Sequence, residues 1–200
     1  MLTSEQRPML RFLIVHTAAS VAGLQCWLIL FNNFAVEVAG LNGLQVGIIG
    51  SVREVPGFLA LLAVFVMLVI REHRLSALSI VLLGIGTGLT GLLPTFTGLI
   101  ITTLIMSFGF HYFETTNMSL TLQYFGKAES PWVFGKLRSL AAASSIGIGL
   151  AIVILTAFLD FKSLYLVIGG LVSLTALWAF THDPSSQDTA PQRKRMVFRK

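Results

Sequence analysis

The sequence predicts an all-α, polytopic membrane protein of six transmembrane helices with both termini in the cytoplasm. Composition is the first observation behind that prediction. Of 200 residues, 54% are hydrophobic and only 12% charged, against roughly 25% charged in an ordinary soluble domain. The second is length. Apolar stretches at 12–34, 45–70, 75–96, 98–122, 137–159 and 163–181 each have about the 20 residues that cross a hydrocarbon layer roughly 30 Å thick. The third is charge. If each stretch crosses, 12 of the 14 Lys and Arg fall on one side: Arg7, Arg11, Arg71, Arg74, Lys127, Lys136, Arg138, Arg193, Lys194, Arg195, Arg199 and Lys200. Cytoplasmic loops collect Lys and Arg, so that side is the inner one. The other side holds Lys162, and Arg53 lies inside a span.

These stretches are helices, because a spanning segment satisfies its backbone internally and none shows the alternation of a barrel strand. The first span has too long an apolar core for a secretory signal and is not followed cleanly by a small-x-small cleavage site; it reads as a retained helix. Trp27 and Phe31 near its outer end, and Tyr124, Phe125, Trp132, Trp178 and Phe180 near the inner face, read as headgroup-level anchors. Cys26 stands alone in the first span, which leaves no disulfide or metal framework.

The second span carries Arg53 and Glu54 and is expected to bend at Pro56, which lacks an amide donor and crowds the carbonyl of Val52. The third has Gly84, Gly86, Gly88 and Gly91, with Gly84 and Gly88 at GxxxG spacing. The fifth has Ala141, Ala142, Ala143, Ser144, Ser145, Gly147 and Gly149. Small residues let helices approach closely in lipid, and the fifth span is expected to do so ahead of the third. The connections are outer turns at 37–43, 94–98 and 160–162, a tight basic inner turn at 71–74, and a longer amphipathic segment at 123–136 along the inner surface. Residues 1–181 form the bundle. Residues 182–200, polar and proline-containing and then basic, read as a cytoplasmic linker. The net charge of +5 sits beside span ends, where topology and anionic headgroups explain it without nucleic acid.

Two constellations carry the chemistry. Charges at the depth of Arg53 and Glu54 cost at least about 2.5–3.5 kcal/mol each on insertion scales, so both should face protein or water. As neighbours at i and i+1 they point in different directions, and a self-contained ion pair is not expected. In the fourth span, His111 and Glu114 at i, i+3 share a face that Asn117 and Thr121 extend inward, and together they can take up and release a proton. Arg53 lies roughly 6 Å outward of mid-span and Glu114 roughly 6 Å inward, at about 1.5 Å per residue; Glu54 and His111 are closer in depth. The expectation is a shared polar cavity. Gln25 and Asn32 share a face of the first span, His16 points the other way, and Glu37 is a solvated loop charge. There is no HExxH, GxSxG, phosphate loop or di-metal box, so neither an enzyme nor a cofactor is expected.

Six spans with both ends inside, a basic turn between spans two and three and a basic linker after span six resemble the N-terminal half of a major facilitator superfamily transporter. The family's loop between spans two and three reads Gly-x-x-x-Asp-Arg/Lys-x-Gly-Arg/Lys-Arg/Lys. Here positions 68–74 read Leu-Val-Ile-Arg-Glu-His-Arg. Arg71 and Arg74 keep the cations of this gating loop, while Ile70 and His73 stand at the Asp and second Gly positions. The run Phe-Gly-Lys-Leu-Arg-Ser at 134–139, leading into a Gly/Ala-rich span, is also similar. The resemblance implies two inverted three-helix repeats, with spans one and four lining a central cavity. It further implies a second six-helix half, on the same chain or another subunit.

The expectation is therefore a secondary transporter in the cell (plasma or inner) membrane, moving a small solute by alternating access. Arg53 would attract an anionic group, and His111 with Glu114 would couple protons. Its rivals are a membrane-embedded enzyme using His111 and Glu114, and a non-transporting scaffold subunit. A reporter that works only in the cytoplasm should be active when fused after Lys200 and silent when inserted in the 94–98 turn; the opposite pattern would invert the topology.

Overall fold

Hydrocarbon offers the backbone no hydrogen-bonding partner and drives no hydrophobic association between helices. A bundle built for it must close on itself through helix ends, small residues and shape. The computed structural model describes residues 2–4, 6–181 and 183–184. Apart from Asp183 and Pro184, the linker expected at 182–200 lies outside the described residues.

Every element among the described residues is helical. α1 spans Gln6–Asn33 and runs into a π-helical turn, Phe34–Val38, closed by the Ala39 amide on the Phe34 carbonyl at 3.1 Å. The chain reverses through Gly40, whose φ of 64° suits a residue without a Cβ. α2 is Gly43–Phe58, α3 Leu61–Met67, α4 Glu72–Thr90, α5 Phe96–Tyr124, α6 Ser130–Leu155 and α7 Phe161–Thr181. Five helices are long and apolar enough to cross a bilayer, and α2 with α3 makes a sixth crossing when counted as one bent span.

Local chemistry sets several boundaries. At α2, the Asn42 side chain accepts the Gln45 amide and the Gln45 side chain accepts the Asn42 amide, both at 3.0 Å. Thr95 Oγ1 accepts the Gly98 amide at the start of α5, and Asp160 Oδ1 accepts the Ser163 amide at 2.9 Å to open α7. The Ser163 hydrogen bonds, side-chain and backbone, hold the Asp160 carboxyl below its ordinary range. Pro131 fits the first turn of α6. That helix takes in 130–136, which the sequence placed along the inner surface.

The bend in the second span is present, 46° between α2 and α3, but it falls at Leu59 and Ala60 rather than at Pro56. α2 carries Pro56 within its last turn. The chain then tightens, with Ala60 donating to Gly57, Leu62 to Leu59 and Ala63 to Ala60. Bonds of this i→i−3 kind redirect the axis just past the proline.

α4 is the centre of the bundle, packing most extensively on α5 and α7, while α1 lies against α6 and α7 and α2 against α5. Backbones meet along α4. A Cβ on Gly169 of α7 would stand 2.5 Å from both the Gly84 carbonyl and the Gly88 amide, so that pair forms a notch for Gly169. Opposite, Gly86 lies on the Met106 backbone, and Gly109 of α5 on the backbone of Ser79 and Leu83. Two hydroxyls buried here bond back to their own helix, Ser79 to Leu75 at 2.7 Å and Thr90 to Gly86 at 2.8 Å, and Thr87 donates to the Gly23 carbonyl of α1. They pack as small residues.

The order expected for small residues is thus reversed. The third span makes the tight contact, whereas in α6 Ala142, Ala143 and Gly147 are exposed and nothing lies within 4 Å of a Cβ on Gly147. α6 meets α1 through larger groups such as Ile152. The anchor assignments also change. Trp27, Phe31 and Phe125 are buried, Trp27 stacking on Phe31 at 4.2 Å. Trp132 is exposed beneath Lys136. Cys26 is buried and unpaired by any disulfide, as a packing residue. Gly169→Val should lower the melting temperature of the detergent-solubilised protein, since overpacking costs about 1–3 kcal/mol, while Gly147→Val should leave it unchanged. Equal melting of the two would displace α4 as the packing centre.

Candidate functional site: a charged cleft between α1, α2 and α5

The start of α1, the turn 71–74, the end of α5 and the end of α7 gather at one end of the bundle. Gln6 Nε2 donates to the Tyr124 carbonyl at 3.2 Å and to Glu129 at 2.5 Å. Ser119 donates to Glu72 at 3.0 Å. Asp183 lies 3.4 Å from His73 Nε2 and 4.0 Å from Arg71 Nη1. Arg74 is exposed. Both cations expected to gate are thus exposed, and of the two Arg71 lies near Asp183 beyond α7.

Deeper along the helices, α2 lies on α5, and Arg53, Glu54 and His111 come together. With Ser107, Leu24, Leu28, Met106 and Phe110 they line a cleft of about 120 Å³. A Cβ on Gly57 would stand 3.0 Å from the His111 ring, so the absence of one lets the imidazole rest closely against α2. Ser107 Oγ donates to the Arg53 carbonyl and pins that turn of α2 to α5. Ser107 lies four residues before His111, on the same face of α5.

Contrary to the sequence expectation, Arg53 and Glu54 form an ion pair. Nη2 and Nε of the guanidinium both donate to Glu54 Oε1, at 2.6 and 2.9 Å. Adjacent positions point apart at Cβ, but long side chains curl back, and at a depth where each lone charge is penalised the pair is the cheaper arrangement. The guanidinium also lies over the Trp27 ring, 5.2 Å from its centroid. The side chains remain 28% and 52% exposed, so the pair is not sealed within the protein.

The other expected site residues lie elsewhere. Glu114 is exposed one turn beyond His111 and outside the cleft lining. Asn117 is half-buried, its Oδ1 without a hydrogen-bond partner among the described residues. Gln25 Nε2 donates to Ser145 at 3.3 Å and joins α1 to α6. Asn32 is exposed. His16 is buried, Nδ1 2.9 Å from the Phe12 carbonyl and its ring stacked on Phe12. Sequence reasoning missed Trp27, Ser107 and Gly57. The i, i+4 relation of Ser107 to His111, and of Arg53 to Gly57, was the available signal. Among the described residues no three His, Cys, Asp or Glu side chains converge on a metal position.

Fold and site together define the class, a multi-pass helical membrane protein with a partly exposed charged cleft between its helices. No protein-family model and no curated protein sequence matches the chain. With Trp132 and Trp178 changed to Phe, Trp27 is the one remaining indole of three. Arg53→Gln should then shift its emission, while Arg138→Gln should not. Superimposable spectra would remove the guanidinium from the ring.

Proposed function

We propose that the chain is one half of a secondary active transporter of the major facilitator type, moving a small solute by alternating access in a cell membrane with its termini cytoplasmic. The observation that carries this reading is the meeting of Arg53, Glu54 and His111 around a cleft inside the spans. Charges there are too costly to keep for packing alone.

The packing supports it. Number the spans one to six, with α2 and α3 as the second. Span one packs on span five, span two on span four, and span three on span six. Exchanging the first triplet for the second turns the one–five pair into the two–four pair and leaves the three–six pair unchanged, as two inverted three-helix repeats would. Span one also packs on span three, with no comparable contact between four and six among the described residues. The helix ends gathered around Gln6, Arg71 and Asp183 carry the basic turn 71–74, as a cytoplasmic face would. Exposed Glu54, Ser51 and Glu114, on α2 and α5, point toward a water-filled space or a second six-helix half rather than lipid. That second half belongs to this chain or to another subunit. His111 lies between Glu54 in the cleft and Glu114 one turn on, the set that would pass protons.

Two experiments test this. In a Cys26→Ser background, Ser107→Cys should react with membrane-impermeant thiol reagents from each side of sealed vesicles; protection from both sides would end the alternating-access reading. Glu114→Gln should abolish proton flux through the reconstituted protein without changing its helicity. Proton flux unaltered in that variant would remove the assignment of Glu114.

A further inference from the structure

We propose that the cleft between α1, α2 and α5 binds a small zwitterion, with the ligand's anionic end on Arg53 and its cationic end on Glu54. Resting on the transporter reading, this narrows the solute class.

An isolated arginine inside a membrane protein attracts anions, and Arg53 read alone invites that role. Its charge is not spare. Nε and Nη2 are both engaged by Glu54 Oε1, and the face of the guanidinium is covered by Trp27. A simple anion that displaces Glu54 from Nε and Nη2 strips it of its partner and leaves a carboxylate uncompensated inside a span. A simple cation that takes Glu54 does the same to Arg53. Either exchange ends with one ion pair and one orphaned charge, the arrangement a low-dielectric site penalises most. A ligand carrying both charges trades one internal pair for two intermolecular ones, and no charge is left alone.

The lining fits such a ligand. The two charged groups are consecutive residues on one wall, from α2. Leu24 and Leu28 of α1 with Met106 and Phe110 of α5 supply apolar surface around them, suited to the short carbon chain between an ammonium and a carboxylate. The volume, about 120 Å³, is well below the roughly 300–1,000 Å³ of sites for drug-sized molecules. It selects a compact amino-carboxylate. Glu54 is the more exposed partner, 52% against 28%, so an ammonium can approach it while the carboxylate replaces it on the guanidinium.

The test uses the full chain in lipid nanodiscs, with Trp132→Phe and Trp178→Phe, so that Trp27 emission reports on Arg53. The probes are β-alanine, γ-aminobutyrate, propionate and propylammonium at constant ionic strength, with calorimetry as a second measurement. At least one zwitterion should give a saturable change, with propionate and propylammonium giving none. By calorimetry, Arg53→Gln and Glu54→Gln should each weaken binding of that zwitterion by at least about tenfold. Glu54→Asp, which keeps the charge, should weaken it less than Glu54→Gln. Saturation by propionate or propylammonium alone, or by none of the four probes, overturns the proposal. So does zwitterion binding that survives both charge-removing variants. The transporter reading falls separately, on dry Ser107→Cys from both sides, so the two failures are distinguishable.

Discussion

Backbone contact along α4 is what the rest of the bundle depends on. In lipid no hydrophobic force gathers helices, so cohesion comes from dispersion between surfaces close enough to touch. The Gly84 and Gly88 notch takes Gly169, and Gly86 and Gly109 bring α5 down onto α4. Ser79, Thr90 and Ser173, which bond back to their own helices, add to that closeness with their hydroxyls paired. α5, fixed against α4 on one side, presents Ser107 and His111 to α2 on the other. The position of the charged cleft is therefore inherited from a glycine contact on the far face of the same helix.

Within the cleft, electrostatics explains why two neighbouring residues act as a unit. Neither Arg53 nor Glu54 can be left alone at its depth, and the structure answers with a short ion pair capped by an indole face. The Ser107 hydroxyl on the Arg53 carbonyl adds a polar link between α2 and α5. An apolar groove there would hold helices together but would discriminate poorly among polar solutes. A neutralised pair of opposite charges would, on the zwitterion proposal, discriminate by requiring its visitor to carry both.

Much of the fold was legible because membrane constraints write strongly into sequence. Long apolar runs mark helices, and the runs expected to end at residues 70 and 122 stop close to where the structure stops them, at Met67 and Tyr124. Packing was less legible. Gly147 and Gly169 look alike in sequence, and only the facing helix decides that one is a contact and the other open. In the site, Arg53, Glu54 and His111 stood out because charge is rare at that depth. Trp27 did not, since an aromatic near a helix end looks the same whether it anchors in headgroups or lies under a guanidinium. The ion pair was misjudged by treating side-chain direction at Cβ as the direction of the charged tip, which for arginine is several rotatable bonds away.

The break after Phe58 has a mechanical consequence. α2 is clamped to α5 through Ser107, whereas α3 touches its neighbours sparsely, with Ala63 its sole buried residue. The two pieces are joined by a tight turn, not by one continuous rod. Bilayers differ by several ångströms in thickness, and a spanning helix accommodates by changing tilt. Here the sparsely packed 61–67 segment is the part of the second span that can change tilt without moving the contact between α2 and α5.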